Sequence, residues 1–349
     1  MTNYTTDLAP AAAADTELAQ VQAYEQAVAD AADKAANQHV FEDYRSRKAD
    51  NTLSAQQTDL QTFCDYLAMT GVERDAVDLA TNPHAWTFVS HGHVKAFLEW
   101  MKGQGYSIAS INRKLSTVKR YCKLAAEAEA IAVETDAMVR MVAGYSVKEG
   151  KRLDERRETT RVGHKKADHT PLTVDDANQL KFNPSTPQGR RDTVLMCLLL
   201  DHGLRVGEVV ALQVTDIDMA AKQLRFYRPK VDRTQTHKMS RHTFEALQEY
   251  FDAGDAPAMG ALLRGSRKGG TLTHAGMNRQ AVSARVRTLG EEIGVEKLSA
   301  HDCRHYWASR AATMGTDAFA LRDAGGWSSL AMPSRYVEAA TVANERVRL

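Results

Sequence analysis

Between Asp192 and Gly203 the chain reads DTVLMCLLLDHG, with no polar residue from Val194 to Leu200. A helix that is apolar on every side cannot lie on a surface, so this segment is expected to be the buried centre of a domain. Gly203 would end that helix, and Arg205 and Glu208 follow it. With 349 residues, 43% of them hydrophobic, the chain has material for roughly two domains, each with its own core. Aromatics are few and strong helix formers many, so the fold is expected to be mainly α. The one exception is KQLRFYRPKVDRTQTHKMS, which alternates apolar and polar residues about a basic turn and reads as a hairpin or small antiparallel β-sheet.

Ahead of that core, residues 1–38 are Ala-rich and carry Asp7, Asp15, Glu17, Glu25, Asp30 and Asp33 against one lysine. They are expected to form an acidic flexible arm, disordered or loosely helical. Leu60, Phe63, Cys64 and Leu67 fall at helical spacing. TNPHAWTFVSHGH then reads as a loop leading to a second helix through Val94, Phe97, Leu98 and Met101, and GQGYS breaks the chain. Ser107 or Ser110 is placed to cap a third helix with Ile111, Leu115, Val118 and Cys122 on one face. An all-helical bundle over residues 39–145 is the result.

Charge separates the two halves. Residues 1–150 hold 14 Lys and Arg against 20 Asp and Glu, a net of −6, which leaves +7 for the remainder of a chain whose formal net charge is +1. Within the acidic half, Lys102, Arg113, Lys114, Lys119, Arg120 and Lys123 occur with no acid among them. They are expected to form a basic helix face that neutralises DNA phosphates. Residues 146–170 are almost free of apolar residues and net basic, and read as an interdomain linker able to lie along a duplex. PLTVDDANQL, with Pro171 and Thr173 before an acidic turn, opens a second domain over 171–349. Cys64, Cys122, Cys197 and Cys303 are scattered and read as reduced thiols. No apolar stretch of about 18 residues and no basic-then-apolar leader is present, so a soluble, cytoplasmic protein is expected.

The second domain carries LDHGLRVGEV, HDCRHYWASR and GGWSSLAMPSRY. Guanidinium forks match the non-bridging oxygens of a phosphodiester bidentately, which lysine cannot do, so Arg205 and Arg304 suit a phosphate clamp. His301 lies three residues before Arg304 and shares its helical face. Trp327 offers an indole N–H donor, and Tyr336 a phenol that is nucleophilic only where its phenolate is stabilised. Singly, each has an ordinary alternative: an Arg205–Glu208 surface pair, a polar helix face, a core tryptophan, a half-buried tyrosine. Together and in this order they are unlike a chance collection.

The order Arg, His-x-x-Arg, Trp, Tyr resembles the tyrosine recombinase (phage integrase) family over residues 171–340, and the helical bundle is similar to that family's SAM-like core-binding domain. The resemblance implies an α-rich catalytic domain with a small antiparallel sheet, the two domains closing as a C-shaped clamp on double-stranded DNA. It implies that Tyr336 attacks the scissile phosphate to give a 3′-phosphotyrosyl link and a 5′-hydroxyl. Arg205, His301, Arg304 and Trp327 would stabilise the transition state, with Glu208 in support. No metal, nucleotide or other cofactor is implied, since the bond energy is kept in the covalent intermediate. The general-acid lysine lies in the hairpin turn, where Lys230 is favoured over Lys238. The family has histidine in many members where Trp327 stands, and tolerates both. The tail after Tyr336, with Val337, Val342, Val347 and Leu349, would dock on a neighbouring subunit of a tetramer assembled on two DNA sites. A catalytically silent DNA-binding homologue and a type IB topoisomerase-like strand transferase are the alternatives. A metal site at His301, Cys303 and His305 is disfavoured, because alternate positions do not converge on one helix face. The short acidic arm suggests a two-domain recombinase without a separate arm-site DNA-binding domain.

Overall fold

The computed structural model describes residues 9–37, 39–156 and 169–341. The chain divides into two compact units, residues 1–165 and 166–349.

The first unit is all helix: α1 (Ala9–Asn37), α2 (Val40–Ser46), α3 (Asp50–Met69), α4 (Ala76–Thr81), α5 (His91–Gly103), α6 (Ile108–Glu127), α7 (Val133–Arg140) and α8 (Val147–Glu155). The residues expected to face inward from α3, α5 and α6 are all buried in one core. Ser90 and Ser107 cap α5 and α6 through their hydroxyls, which accept from the backbone N–H of His93 and Ser110. The segment read as a loop contributes to that core as well. A 3-10 turn, Pro83–Trp86, stacks the Trp86 ring against Phe63 and Tyr121, and its indole N–H donates to the Leu79 carbonyl at 2.8 Å.

The arm, expected to be disordered or loosely helical, is one continuous helix over Ala9–Asn37, consistent with the high helix propensity of alanine. Its last residue is tied down by Asn37 Nδ2 donating to Glu129 Oε1 at 2.8 Å. Two expectations need correction in this unit. The linker does not begin at residue 146. Ser146 and Glu149 form a capping box that starts α8, Asp154 accepts from the Ile108 backbone N–H, and Leu153 packs on the core. Residues 157–168, the rest of the basic linker, lie outside the described residues. Finally, two of the six cations read as DNA-facing are turned inward. Lys114 is 4% exposed, 3.3 Å from Asp59 Oδ1 and 2.7 Å from Thr62 Oγ1. It stands three residues after Ile111 and four before Val118, within the buried stripe, and burial pulls its pKa down. Lys119 donates to the carbonyls of Arg140 and Val142, closing the C-terminus of α7. Arg113, which also pairs with Asp59 at 2.8 Å, and Arg120 are exposed, while Lys102 and Lys123 pair with Glu99 and Glu127 on the surface.

The second unit contains α9 (Val174–Leu180), α10 (Pro187–Leu200), α11 (Val206–Ala211), β1 (Ile217–Asp218), β2 (Gln223–Arg228), β3 (Arg233–Lys238), α12 (Arg241–Asp252), β4 (Arg264–Ser266), β5 (Leu272–Gly276), α13 (Arg279–Glu292), α14 (Ala300–Thr313), α15 (Ala318–Gly325) and α16 (Ala331–Ala340). Val194 to Leu200 of α10 are all buried, as their composition requires. The expected hairpin forms the antiparallel sheet β1-β2-β3, with Gln223 opposite Lys238 and Arg228 opposite Arg233. A second ribbon pairs β4 with β5. A small separate core of Ala308, Ala312 and Leu321 joins α14, α15 and α16, with Trp307, Trp327, Tyr336 and Val337 packed around it. All four cysteines are buried free thiols. Among the described residues no helix is long and apolar enough to cross a membrane.

The buried Asp59 carboxylate accepts from Arg113, Lys114 and Thr117. Its replacement leaves the Lys114 ammonium buried without a counter-charge. Asp59→Ala is expected to lower the stability of this unit by about 3–5 kcal/mol, read from the urea midpoint of the full chain. An Arg120→Ala control, on the exposed face, should leave the midpoint unchanged.

Candidate active site

The buried helix α10 ends at Leu200, and Gly203 turns the chain in the left-handed region, φ +59°. A side chain at Gly203 would also run into the Trp307 indole, so both conformation and space call for glycine. The turn delivers Arg205 to the N-cap position of α11. Glu208, 3% exposed, accepts from the Arg205 backbone N–H at 2.9 Å and from Arg205 Nη1 at 2.8 Å. The surface pair that the spacing allowed is therefore present, but at the edge of the core.

A third arginine completes the group. Inward-facing positions of β2 alternate as Leu224, Phe226 and Arg228, and the Arg228 side chain is 0% exposed. Its Nη1 reaches both Glu208 oxygens, at 2.9 and 3.1 Å. Arg304, on α14, is 3% exposed and donates to the Gly203 and Gly325 carbonyls, each at 2.5 Å.

All three guanidiniums meet the C-terminus of α15. Arg228 donates to the carbonyls of Ala324 at 2.7 Å and Gly325 at 3.0 Å, and Arg205 Nη2 to that of Gly326 at 3.0 Å. Carbonyls at a helix C-terminus have no partner within the helix and carry its partial negative charge, so cations are at home there. The turn that exposes them needs two glycines. Gly326 is left-handed, φ +59°, and a Cβ there would meet Arg228; a Cβ on Gly325 would meet the Trp327 ring. Burial first, then mutual repulsion, lowers the pKa of Arg304 to about 9 and of Arg228, which Glu208 partly compensates, to about 10. Both remain protonated at neutral pH. Three cations against one carboxylate leave the site with positive charge that suits an anion. Arg205 uses two of its five N–H groups on these partners and keeps 23% of its side chain open to solvent.

Beside the arginines, the Arg304 guanidinium lies 4.3 Å over the Trp327 ring, and Trp327 in turn lies 6.0 Å from the Tyr336 ring. Tyr336, carried by α16, is half-buried, and its hydroxyl sits 2.7 Å from His305 Nδ1. His305 Nε2 contacts His301 Nε2 at 3.1 Å, and the His169 ring stacks on His305 with centroids 5.1 Å apart. Burial raises the Tyr336 pKa above its ordinary 10.0, against the opposing pull of Arg304. His301 is exposed.

Arg205, Glu208, Arg304, Trp327 and Tyr336 thus form one contiguous group, and His301 joins it through His305. Lys230 is exposed in the β2–β3 turn, two residues beyond Arg228. That end of the hairpin meets α15, where Gln235 Nε2 donates to the Asp323 carbonyl at 2.6 Å; Lys238 stands at the other end, opposite Gln223. Sequence reasoning missed Arg228 and His305 as members of this site. Each had a signal: an arginine at an inward position of an alternating strand, and a histidine one helical turn after His301. His301 and His305 do converge, whereas Cys303 between them is buried. Among the described residues no three His, Cys, Asp or Glu side chains are grouped to hold a metal.

Residues 171–342 match the model of the phage integrase family, and residues 40–129 match that of the phage integrase N-terminal SAM-like domain. Curated relatives include tyrosine recombinase XerC of Roseiflexus castenholzii, 27% identical over 297 residues and covering 82% of both chains. Tyrosine recombinase XerD of Proteus mirabilis is 26% identical over 298 residues, 83% of both. The fold is similar to that of a lambda integrase dimer bound to a core site, with TM-score 0.59, 16% identity and coverage of 85% of this chain and 92% of that one. It is also similar to a transposon integrase in complex with transposon right end DNA, with TM-score 0.56, 15% identity and coverage of 86% and 94%.

Removal of the Glu208 carboxylate leaves Arg228 fully buried with no counter-charge. Glu208→Ala is expected to cost about 3–5 kcal/mol in urea denaturation. Arg205→Ala, which removes a partly exposed partner, is expected to cost well under half of that.

Proposed function

This chain belongs to the phage integrase, or tyrosine recombinase, family, and we propose that it cuts and rejoins DNA at specific sites with Tyr336 as nucleophile. The observation that carries the reading is the meeting of a phenol, an indole and a guanidinium cluster at one place, with Arg304 stacked on Trp327 and Trp327 beside Tyr336. A phosphodiester seated against Arg205 and Arg304 gains charge on its non-bridging oxygens as it is attacked, and fixed cations lower the energy of that state. The Trp327 N–H and His301 add donors to the same oxygens. Glu208 and Arg228 keep the arginines in position.

In the forward step the Tyr336 oxygen bonds to phosphorus and the bond to the 5′-oxygen breaks, leaving a 3′-phosphotyrosyl link. Lys230, in the exposed turn at the α15 end of the hairpin, supplies the proton to the departing 5′-oxygen. Attack by a 5′-hydroxyl from another strand reverses the chemistry, with no metal or nucleotide consumed. The residue 39–145 bundle holds the duplex through exposed cations, Arg113 and Arg120 foremost with Lys102 and Lys123 beside them, and the basic linker adds phosphate contacts. The tail after Tyr336, of which residues 342–349 lie outside the described residues, docks on a neighbouring subunit in this reading, so that cleavage is coupled to a tetramer on two DNA sites. Such a protein works in the cytoplasm on the nucleoid. Its relatives named as tyrosine recombinases and its fold-neighbours bound to DNA support this reading.

The test uses nicked suicide duplexes that carry the DNA flanking the gene, analysed on denaturing gels in EDTA. Wild type is expected to form a covalent protein–DNA adduct, and Tyr336→Phe none. Lys230→Ala is expected to slow adduct formation by about a hundred-fold or more, and Lys238→Ala to leave it unchanged. Firm binding of the cognate site by wild type without any adduct would instead assign a DNA-binding role alone.

A further inference from the structure

The attacking phenol has to lose a proton, and neither the arginines nor the indole can take one. Burial makes the loss harder, because it raises the Tyr336 pKa. The side chain in contact with the hydroxyl is His305, at 2.7 Å through Nδ1. Its other nitrogen is held by His301 at 3.1 Å, one helical turn back on α14, and the His169 ring stacks on its face. A nucleophile, a base in hydrogen-bond reach and a third group orienting that base is the arrangement by which weak nucleophiles are activated.

We propose that His305 is the proton acceptor for Tyr336: Nδ1 takes the phenol proton as the phenol oxygen bonds to phosphorus. The inference rests on the strand-transfer reading above and assigns a catalytic residue that the motif order alone did not single out. With the phenol as donor, His305 Nδ1 is the acceptor and its Nε2 carries the hydrogen given to His301 Nε2, which fixes the tautomer. In cleavage the O–H bond of Tyr336 breaks, its proton moves to His305 Nδ1, the oxygen–phosphorus bond forms, and the bond to the 5′-oxygen breaks with a proton from Lys230. In rejoining, the 5′-hydroxyl attacks phosphorus and gives its proton to the Lys230 amine, the tyrosine oxygen leaves, and the His305 imidazolium returns its proton to it.

The surroundings keep the imidazole in its basic form. Burial is the main cause that lowers its pKa below 6.5; His301 and His169 lower it further, Arg304 does so slightly, and Asp302 opposes them. Tyr336 faces it from α16. A lowered value means that His305 is neutral at pH 7 and gains its proton only below the ordinary histidine range. The wild-type rate should therefore rise with pH through a point under 6.5 and then level off.

The test is single-turnover cleavage by the full chain on the suicide duplex from about pH 6 to 9, with oxygen or sulfur as the 5′-leaving atom, because sulfur departs without protonation. His305→Asn keeps a polar atom near the Nδ1 position to hold the phenol but accepts no proton, and His305→Ala removes both. Both variants are expected to cleave about a hundred-fold more slowly than wild type at pH 7. Their deficit should shrink as pH rises, since hydroxide replaces the lost base, and sulfur should not restore them. Lys230→Ala, in contrast, should be restored by sulfur. A His305→Asn rate equal to wild type would overturn the inference, because placement of the phenol would then suffice. Restoration of the His305 variants by sulfur would overturn it too, by moving the residue to the leaving-group side. The melting temperature and DNA affinity of His305→Asn, both expected at wild-type values, separate lost chemistry from lost folding. An absence of adduct with wild type itself would remove the strand-transfer reading, and this inference with it.

Discussion

The carbonyls of Ala324, Gly325 and Gly326, at the end of α15, and the carboxylate of Glu208 hold three guanidiniums in one place. Each guanidinium arrives from a different part of the unit: Arg205 from the turn after the buried helix, Arg228 from the hairpin, Arg304 from α14. Like charges brought together in a buried site repel, and burial together with that repulsion lowers the pKa of two of them. The helix terminus and one acid offset that cost without neutralising it. What remains is a fixed, positively charged site of the kind that stabilises a developing negative charge with little reorganisation.

The same helix end also positions Tyr336. The Gly325–Gly326 turn that frees the carbonyls also starts the segment with Trp327, which packs under Arg304 and beside Tyr336. The small core of Ala308, Ala312 and Leu321 then holds α14 and α16 together, so that His305 and Tyr336 face each other. Cation cluster, aromatic support and phenol are therefore parts of one packed assembly.

Much of this was legible in the sequence. The apolar run of α10 announced its burial, the serine before α6 its start, and the alternating segment its hairpin, because each obeys a local rule of periodicity or capping. The order of Arg205, His301, Arg304, Trp327 and Tyr336 pointed to one site although the residues are far apart in sequence. What was illegible depended on tertiary burial. Lys114 looks like its neighbours Arg113 and Arg120 in a charge count, yet its position in the apolar stripe opposite Asp59 makes it structural. Residues 147–155 look like linker by composition, but a capping box and an anchor at Asp154 make them helix. Arg228 joins the site only because the strand turns it inward, and His305 only because α16 brings a phenol to it.

The most direct test of the account is to map the DNA attachment on the protein. Nuclease treatment of the covalent adduct, then trypsin and mass spectrometry, is expected to place a nucleotide phosphate on the peptide running from Tyr336 to Arg346, with fragmentation assigning it to Tyr336. A nucleotide found on another side chain, such as Tyr306, would contradict the account.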